Sequence, residues 1–186
     1  MTQYRAQLFL LLLVLTACMA SCEKDDSKQA FGNTNIYMPQ ATIAANRYTV
    51  PSGLDSATYN YKIDVQNDKV NIILGVSRSG RQDAGAFSVD VAANADTINQ
   101  LMSSSVLDPA VYALLPASVY SLPQKLQVPD GSTSATFYLS VNKTQLKTYA
   151  GKKLALAVLI RNPSAYSIMA GIDKVIVIID VNALKL

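Results

Sequence analysis

The chain has no histidine and no tryptophan, only one glutamate, and two cysteines that both fall within its first 22 residues. Without histidine there is no ordinary general base near neutral pH, no imidazole for a metal, and no Ser-His or Cys-His nucleophile pair. Without tryptophan, the strongest aromatic platform for a ligand is missing. Glu23 stands alone among 13 acidic residues, the other 12 being aspartate. Aspartate, like Asn, Ser and Thr, favours turns and caps over helix interiors, so the composition leans toward β-structure. Charge of one sign is scarce as well. The formal net charge is +3 with no Lys/Arg cluster, which excludes a nucleic-acid surface. The longest apolar run, "LFLLLLVL" from Leu8 to Leu15, has eight residues, far short of the roughly 20 that span a bilayer.

That short run is still informative. Arg5 precedes it and small residues follow, which is the pattern of a cleaved export signal. Two cysteines end it, in "LTAC" at Cys18 and "MASC" at Cys22. Both resemble the lipobox of bacterial lipoproteins, in which the thiol is acylated and becomes the first mature residue. The residues after Cys22, Glu23-Lys24-Asp25-Asp26, resemble the short Lys-plus-acidic export tag of Bacteroidetes surface lipoproteins. That spacing holds only from Cys22, so Cys22 is the expected anchor and Cys18 the runner-up, with Lys24, Asp25 and Asp26 as the tag. Two or more acyl chains convert marginal membrane binding into stable anchoring. The expected organisation is a signal peptide over 1–21, a lipidated N-terminus and linker over 22–33, and one domain over 34–186. With Arg5 removed, 15 basic residues face 13 acidic ones and no cysteine is left to form a disulfide. Stability must then come from packing.

From residue 34 onward the chain alternates apolar runs with turn residues, the mark of a sandwich or barrel. "NIYMP" reads as a first, edge strand, because Pro39 cannot donate to a ladder. "RYTVP" is a second. "YNYKIDVQ" alternates, with Tyr59, Tyr61, Ile63 and Val65 on one side, and turns at Asn67-Asp68 into "KVNIILGVSRSG". "AFSVDVAAN" alternates through Phe87, Val89 and Val91. "ADTINQLMS" carries Ile98, Leu101 and Met102 at helical spacing, with Asn94 or Asp96 as cap. "KLQV", a Pro129-Asp130-Gly131 turn, and "SATFYLSV" follow, the last with Ala135, Phe137, Leu139 and Val141 on one face. "KKLALAVLIRN" and "DKVIVIIDV" close the chain; the latter is apolar on both faces and is expected inside a sheet. The fold class expected is all-β, an antiparallel β-sandwich with one short helix.

The segment "YALLPASVYSLPQKLQVPDGSTSATFYLSVN", Tyr112 to Asn142, holds Tyr112, Pro116 and Tyr120 at fixed offsets. It resembles a motif of a family of unknown-function domains in Bacteroidetes surface lipoproteins. The resemblance implies an immunoglobulin-like sandwich of the kind that precedes glycan-binding or glycoside-hydrolase domains in polysaccharide-utilisation systems. With the sequence ending at Leu186, such a downstream module is not expected in this chain. In packing terms, Tyr112 and Tyr120 can bury their rings at a sandwich corner while Pro116 fixes the turn between them.

Function is expected to be binding. Twelve aspartates make some carboxylate pair inevitable, but Asp64, Asp90 and Asp180 fall on polar strand faces and Asp68 and Asp130 in turns, where solvated charge is the default. No catalytic residue is therefore assigned. No EF-hand-like spacing occurs, so no metal and no cofactor are expected. Sugar faces stack on aromatic rings while polar neighbours fix the hydroxyls. Nine tyrosines follow Cys22, and Tyr48, Tyr59, Tyr61, Tyr149 and Tyr166, near turns or strand starts, are the candidate ligand contacts. Ser56 and Thr97, in "DSA" and "DTI", resemble O-glycosylation sites of exported Bacteroidetes proteins. The expectation is an outer-membrane, cell-surface lipoprotein held to the membrane by its lipid anchor. Its expected partner is a polysaccharide or an outer-membrane glycan-uptake complex. A scaffolding or adhesin-like subunit that binds other envelope proteins is the alternative.

Overall fold

The computed structural model describes residues 33–55, 58–80, 85–184 and 186. Cys18, Cys22, the Lys24-Asp25-Asp26 tag and Ser56 lie outside the described residues. The described chain begins with β1 (Asn35–Tyr37), β2 (Arg47–Val50), β3 (Tyr61–Asp64), β4 (Lys69–Arg78) and β5 (Phe87–Asn94). Helix α1 (Ala95–Ser103) follows, then β6 (Tyr112–Leu114), β7 (Tyr120–Ser121), β8 (Lys125–Val128) and β9 (Ser134–Asn142). A second helix, α2 (Lys143–Lys147), leads to β10 (Lys153–Arg161), β11 (Ser167–Ile168) and β12 (Lys174–Asp180). Two sheets form. The first runs β11-β1-β4-β9-β7 with β3 also beside β4; the second runs β2-β12-β10-β5-β8 with β6 also beside β10. This is the β-sandwich expected from the sequence.

Strand alternation builds the core. On β4, Val70, Ile72, Leu74 and Val76 are fully buried while Asn71, Ile73, Gly75 and Ser77 point outward. Phe137, Leu139 and Val141 of β9 join them, packing with Val89 and Val91 of β5, Leu154, Leu156 and Val158 of β10, and Val175, Val177 and Ile179 of β12. Each such side chain contributes roughly 1.5–3 kcal/mol by leaving water. The β3–β4 hairpin turns where Asp68 adopts a left-handed φ of 52°, which aspartate tolerates. Asp64 braces that turn by accepting from the Asn67 backbone at 3.0 Å and its amide at 2.8 Å.

A second, smaller cluster lies on the outside of the β10–β12 sheet. Ile98 of α1 and Leu107 cover Ala155, Ala157, Ile176 and Ile178, with Leu101 and Met102 packed beside them. This explains why β12 is apolar on both faces: one faces the other sheet, the other faces the helix. The helix starts where the sequence marks it. The Asn94 side chain accepts from the Thr97 backbone at 3.0 Å, satisfying one of the first-turn amides that have no helical partner. Replacing Asn94 by alanine is expected to cost about 1 kcal/mol, read as a lower urea midpoint with an unchanged slope.

The motif from Tyr112 to Tyr120 is the crossing between sheets. β6 pairs in parallel with β10, Leu115 is buried, Val119 closes a turn onto the Pro116 carbonyl at 3.0 Å, and β7 joins β9. Tyr112 packs against the helix-covered cluster and Tyr120 against the main core. Other details depart from the pattern reading. β1 is no edge strand, since β11 adds to it in parallel and Pro39 opens a 3-10 turn, where its missing N–H costs nothing. β3 stops at Asp64, leaving Val65 74% exposed in the turn. Three pairings, β1–β11, β2–β12 and β6–β10, are parallel, while the long central ladders are antiparallel. The five-residue α2, capped by Asn142 onto the Gln145 backbone at 2.7 Å, is an addition too short for periodicity to reveal.

Candidate functional site

The five tyrosines singled out by sequence pack against the core. Tyr61 is 5% exposed and stacks on Tyr59 with centroids 5.3 Å apart and planes within 8°. Tyr48 is half-buried on β2, and burial raises its phenol pKa although its hydroxyl meets Asn60. Tyr149 lies half-buried after α2. Tyr166 adopts a left-handed φ of 64°, meets Phe87 edge-on at 5.8 Å, and donates its hydroxyl to the Gly85 carbonyl at 3.2 Å. The structure thus brings Tyr59 and Tyr61 together and ties Tyr48 nearby through Asn60, while Tyr149 and Tyr166 sit apart, on other connections. Thr97 lies in the first turn of α1, half-buried, where its hydroxyl accepts from the Lys174 ammonium at 3.3 Å.

Among the described residues, the tyrosine that faces out is Tyr138, 39% exposed at the middle of β9. Alternation already implied its position, because its neighbours Phe137 and Leu139 point inward. Across the outer face of the first sheet, Tyr138 lies opposite Ile73, Thr136 opposite Gly75, and Ser140 opposite Asn71. Ser121 of β7 extends the Ser140 row. Gly75 brings no side chain of its own beside Thr136, and its backbone N–H donates to Gln40 Oε1 at 3.2 Å. The Ser140 hydroxyl donates to Asn71 Oδ1 at 2.7 Å, which leaves the Asn71 amide N–H groups free to donate. A cleft of about 440 Å³ opens beside the Tyr138 ring, floored by Thr136 and Ser140 and walled by Ser121, Leu122, Pro123 and Leu126. One exposed ring, an apolar wall and several hydroxyls suit a molecule with both an apolar face and hydroxyl groups. A depression on the outer side of α1 is slightly larger, about 560 Å³, but Asp96, Asn99, Gln100, Ser103 and Ser104 line it without a ring.

Several carboxylates are engaged. Asp180 pairs with Lys153 at 3.2 Å and Asp90 accepts from the Asn162 amide at 2.9 Å. Hydrogen bonds from Asn67 hold the Asp64 pKa below its ordinary value. Hydrogen bonding from Thr144, aided by Lys143, does the same for Asp68. A glycosidase acid needs the opposite shift, toward a proton kept at neutral pH.

A family model described as that of an N-terminal domain matches residues 31–167. No curated protein sequence matches the chain. Several solved structures share its fold. A multidomain protein including DUF1735 from Bacteroides ovatus superposes with a TM-score of 0.55 at 19% identity, over 80% of this chain and 45% of that one. A candidate carbohydrate binding protein from the same organism gives 0.53 at 11% identity, over 78% of this chain and 36% of that one. An auxiliary nutrient binding protein from Bacteroides thetaiotaomicron gives 0.51 at 23% identity, over 72% and 42%. The chain spans less than half the length of each of these three proteins.

Proposed function

The chain belongs to the family of N-terminal domains whose model covers residues 31–167, a family of unknown function with fold relatives in Bacteroides, and from that premise we propose that it is a non-catalytic glycan-capture protein of the cell surface. The observation that carries this reading is the Tyr138 shelf: an exposed ring on the outer face of the first sheet, bordered by the hydroxyls of Ser121, Thr136 and Ser140. An aromatic ring takes the C–H face of a sugar, and hydroxyls and the Asn71 amide take its rim. Two of the fold relatives bear names of carbohydrate and nutrient binding, which runs the same way. Hydrogen bonds hold the Asp64 and Asp68 pKa values below the ordinary carboxylate range, so neither suits the proton-donor role of a glycosidase. The experiment is retention of the detergent-solubilised full chain on immobilised neutral polysaccharides, with Tyr138→Ala as control. Capture of an envelope protein in place of any sugar would favour a scaffold instead.

The address completes the proposal. Acylation of Cys22 would tether the domain to the outer membrane, and Lys24-Asp25-Asp26 would send it to the outer face, beside a glycan-uptake complex. Protease shaving of intact cells checks this. The native protein is expected to be cut, and a variant with Lys24, Asp25 and Asp26 changed to alanine to be protected. Protection of both forms would place the protein on the periplasmic side.

A further inference from the structure

The opposite face of the sandwich carries a second cleft of different character. On β5, Ser88 and Asp90 point outward, away from the buried Phe87, Val89 and Val91. Strand register places Asp90 opposite Lys125 of β8 on one side and opposite Arg161 of β10 on the other. The three charges form one row across three neighbouring strands. Strands in a sheet lie about 4.8 Å apart, so the backbones of Lys125 and Arg161 stand roughly 10 Å from each other. The adjoining row is neutral and polar, with Ser88 opposite Gln127.

The wall of this cleft is held in place. After β10 the chain turns at Asn162, whose φ is 50°, and runs alongside β5. Asn162 donates its amide to Asp90 Oδ2 at 2.9 Å, the Ser164 backbone donates to the Ser88 carbonyl at 2.9 Å, and the Ser88 backbone donates to the Ser164 hydroxyl at 2.8 Å. Two contiguous hollows of about 540 and 270 Å³ result, with Lys125 lining both. Neither Lys125 nor Arg161 makes an ion pair among the described residues, and both are exposed. The row therefore offers two unpaired cations against one carboxylate that already accepts a hydrogen bond. Such a surface attracts an anionic group, and a guanidinium fork is matched to a planar carboxylate or to sulfate oxygens.

One stretch of chain, from β7 into β8, lines both clefts. Between β7 and β8 the chain crosses from one sheet to the other. Its residues Ser121, Leu122, Pro123 and Leu126 wall the Tyr138 shelf, while Gln124, Lys125 and Gln127 line the charged cleft. A polymer lying on the shelf and passing this edge meets Lys125 next and Arg161 beyond it.

We propose that the Lys125–Asp90–Arg161 row is a subsite for a carboxylate- or sulfate-bearing sugar, continuous around the sandwich edge with the Tyr138 shelf, so that the ligand is an acidic polysaccharide. This rests on the glycan-capture reading above and narrows it to a charged substrate class. The test measures affinity of the full chain for polygalacturonate and dextran sulfate, and for fully methyl-esterified polygalacturonate and dextran as uncharged references. The wild-type chain is expected to bind at least one acidic polymer about tenfold or more tightly than the uncharged ones. That preference should shrink in roughly 0.5 M salt, where the screening length falls to a few Å. The double variant Lys125→Gln/Arg161→Gln is expected to lose the preference and to keep its affinity for uncharged polymer. Lys125→Arg/Arg161→Lys, which keeps both charges, should retain most of it. Polygalacturonate, which carries only carboxylates, and dextran sulfate, which carries only sulfates, tell carboxylate from sulfate recognition. Equal affinity for charged and uncharged polymers, or a double variant that still prefers the acidic ones, would overturn the subsite and leave the shelf standing. Retention of no polysaccharide of either kind would remove both.

Discussion

Phe137→Ala is expected to destabilise the protein by about 3–5 kcal/mol, the cost of deleting a buried aromatic ring and leaving a cavity behind it. Phe137 is 4% exposed on β9 and lies opposite Leu74, itself fully buried on β4. Both belong to the main core between the sheets, where neighbouring side chains are fixed by two ladders and cannot collapse freely into the gap. No disulfide tempers the loss, because no cysteine occurs after Cys22. Against a stability of roughly 5–15 kcal/mol, usual for a single domain, that is a large loss for one side chain. Urea titration checks this. The midpoint should fall sharply with little change in slope, and a loss below about 1 kcal/mol would show that the ring contributes far less than its burial implies.

One residue along, the expectation reverses. Tyr138→Ala should change stability by no more than about 0.5 kcal/mol, as for ordinary surface positions, while weakening retention on the preferred glycan roughly ten- to a hundredfold. That range corresponds to about 1.5–3 kcal/mol, the magnitude of covering an aromatic-sized apolar side chain. Tyr138→Phe keeps the ring and should retain most of the affinity, which separates stacking from hydrogen bonding by the phenol. The pair of variants is informative because β9 directs adjacent side chains to opposite faces. One substitution then reads the core and the other reads the shelf. Unchanged glycan affinity in Tyr138→Ala would move the binding surface elsewhere on the molecule.

Much of this was legible from residues alone, because strand alternation is local. The alternating runs that became β4, β5 and β9, the two-sided apolar run of β12, and α1 with its Asn94 cap follow from nearest-neighbour geometry of period 2 or 3.6. The same alternation set Tyr138 outward. The proposed leader, the proposed lipidation of Cys22 and the proposed Lys24-Asp25-Asp26 tag likewise rest on the linear order of residues alone. Tertiary structure decided the rest. The two- and three-residue strands β6, β7 and β11 have too few residues to show a period, and they exist because a neighbouring ladder accepts them. The second apolar face of β12 needed α1 to fold over it. That Tyr48, Tyr59, Tyr61, Tyr149 and Tyr166 pack against the core was decided by tertiary structure, since near turns and strand starts composition does not tell a ring that closes a core from one that meets solvent. Asp90, Lys125 and Arg161 are dozens of residues apart and become neighbours only through the register of β5 with β8 and β10. Register depends on which face each strand must bury against the opposite sheet, and that is a property of the assembled sandwich.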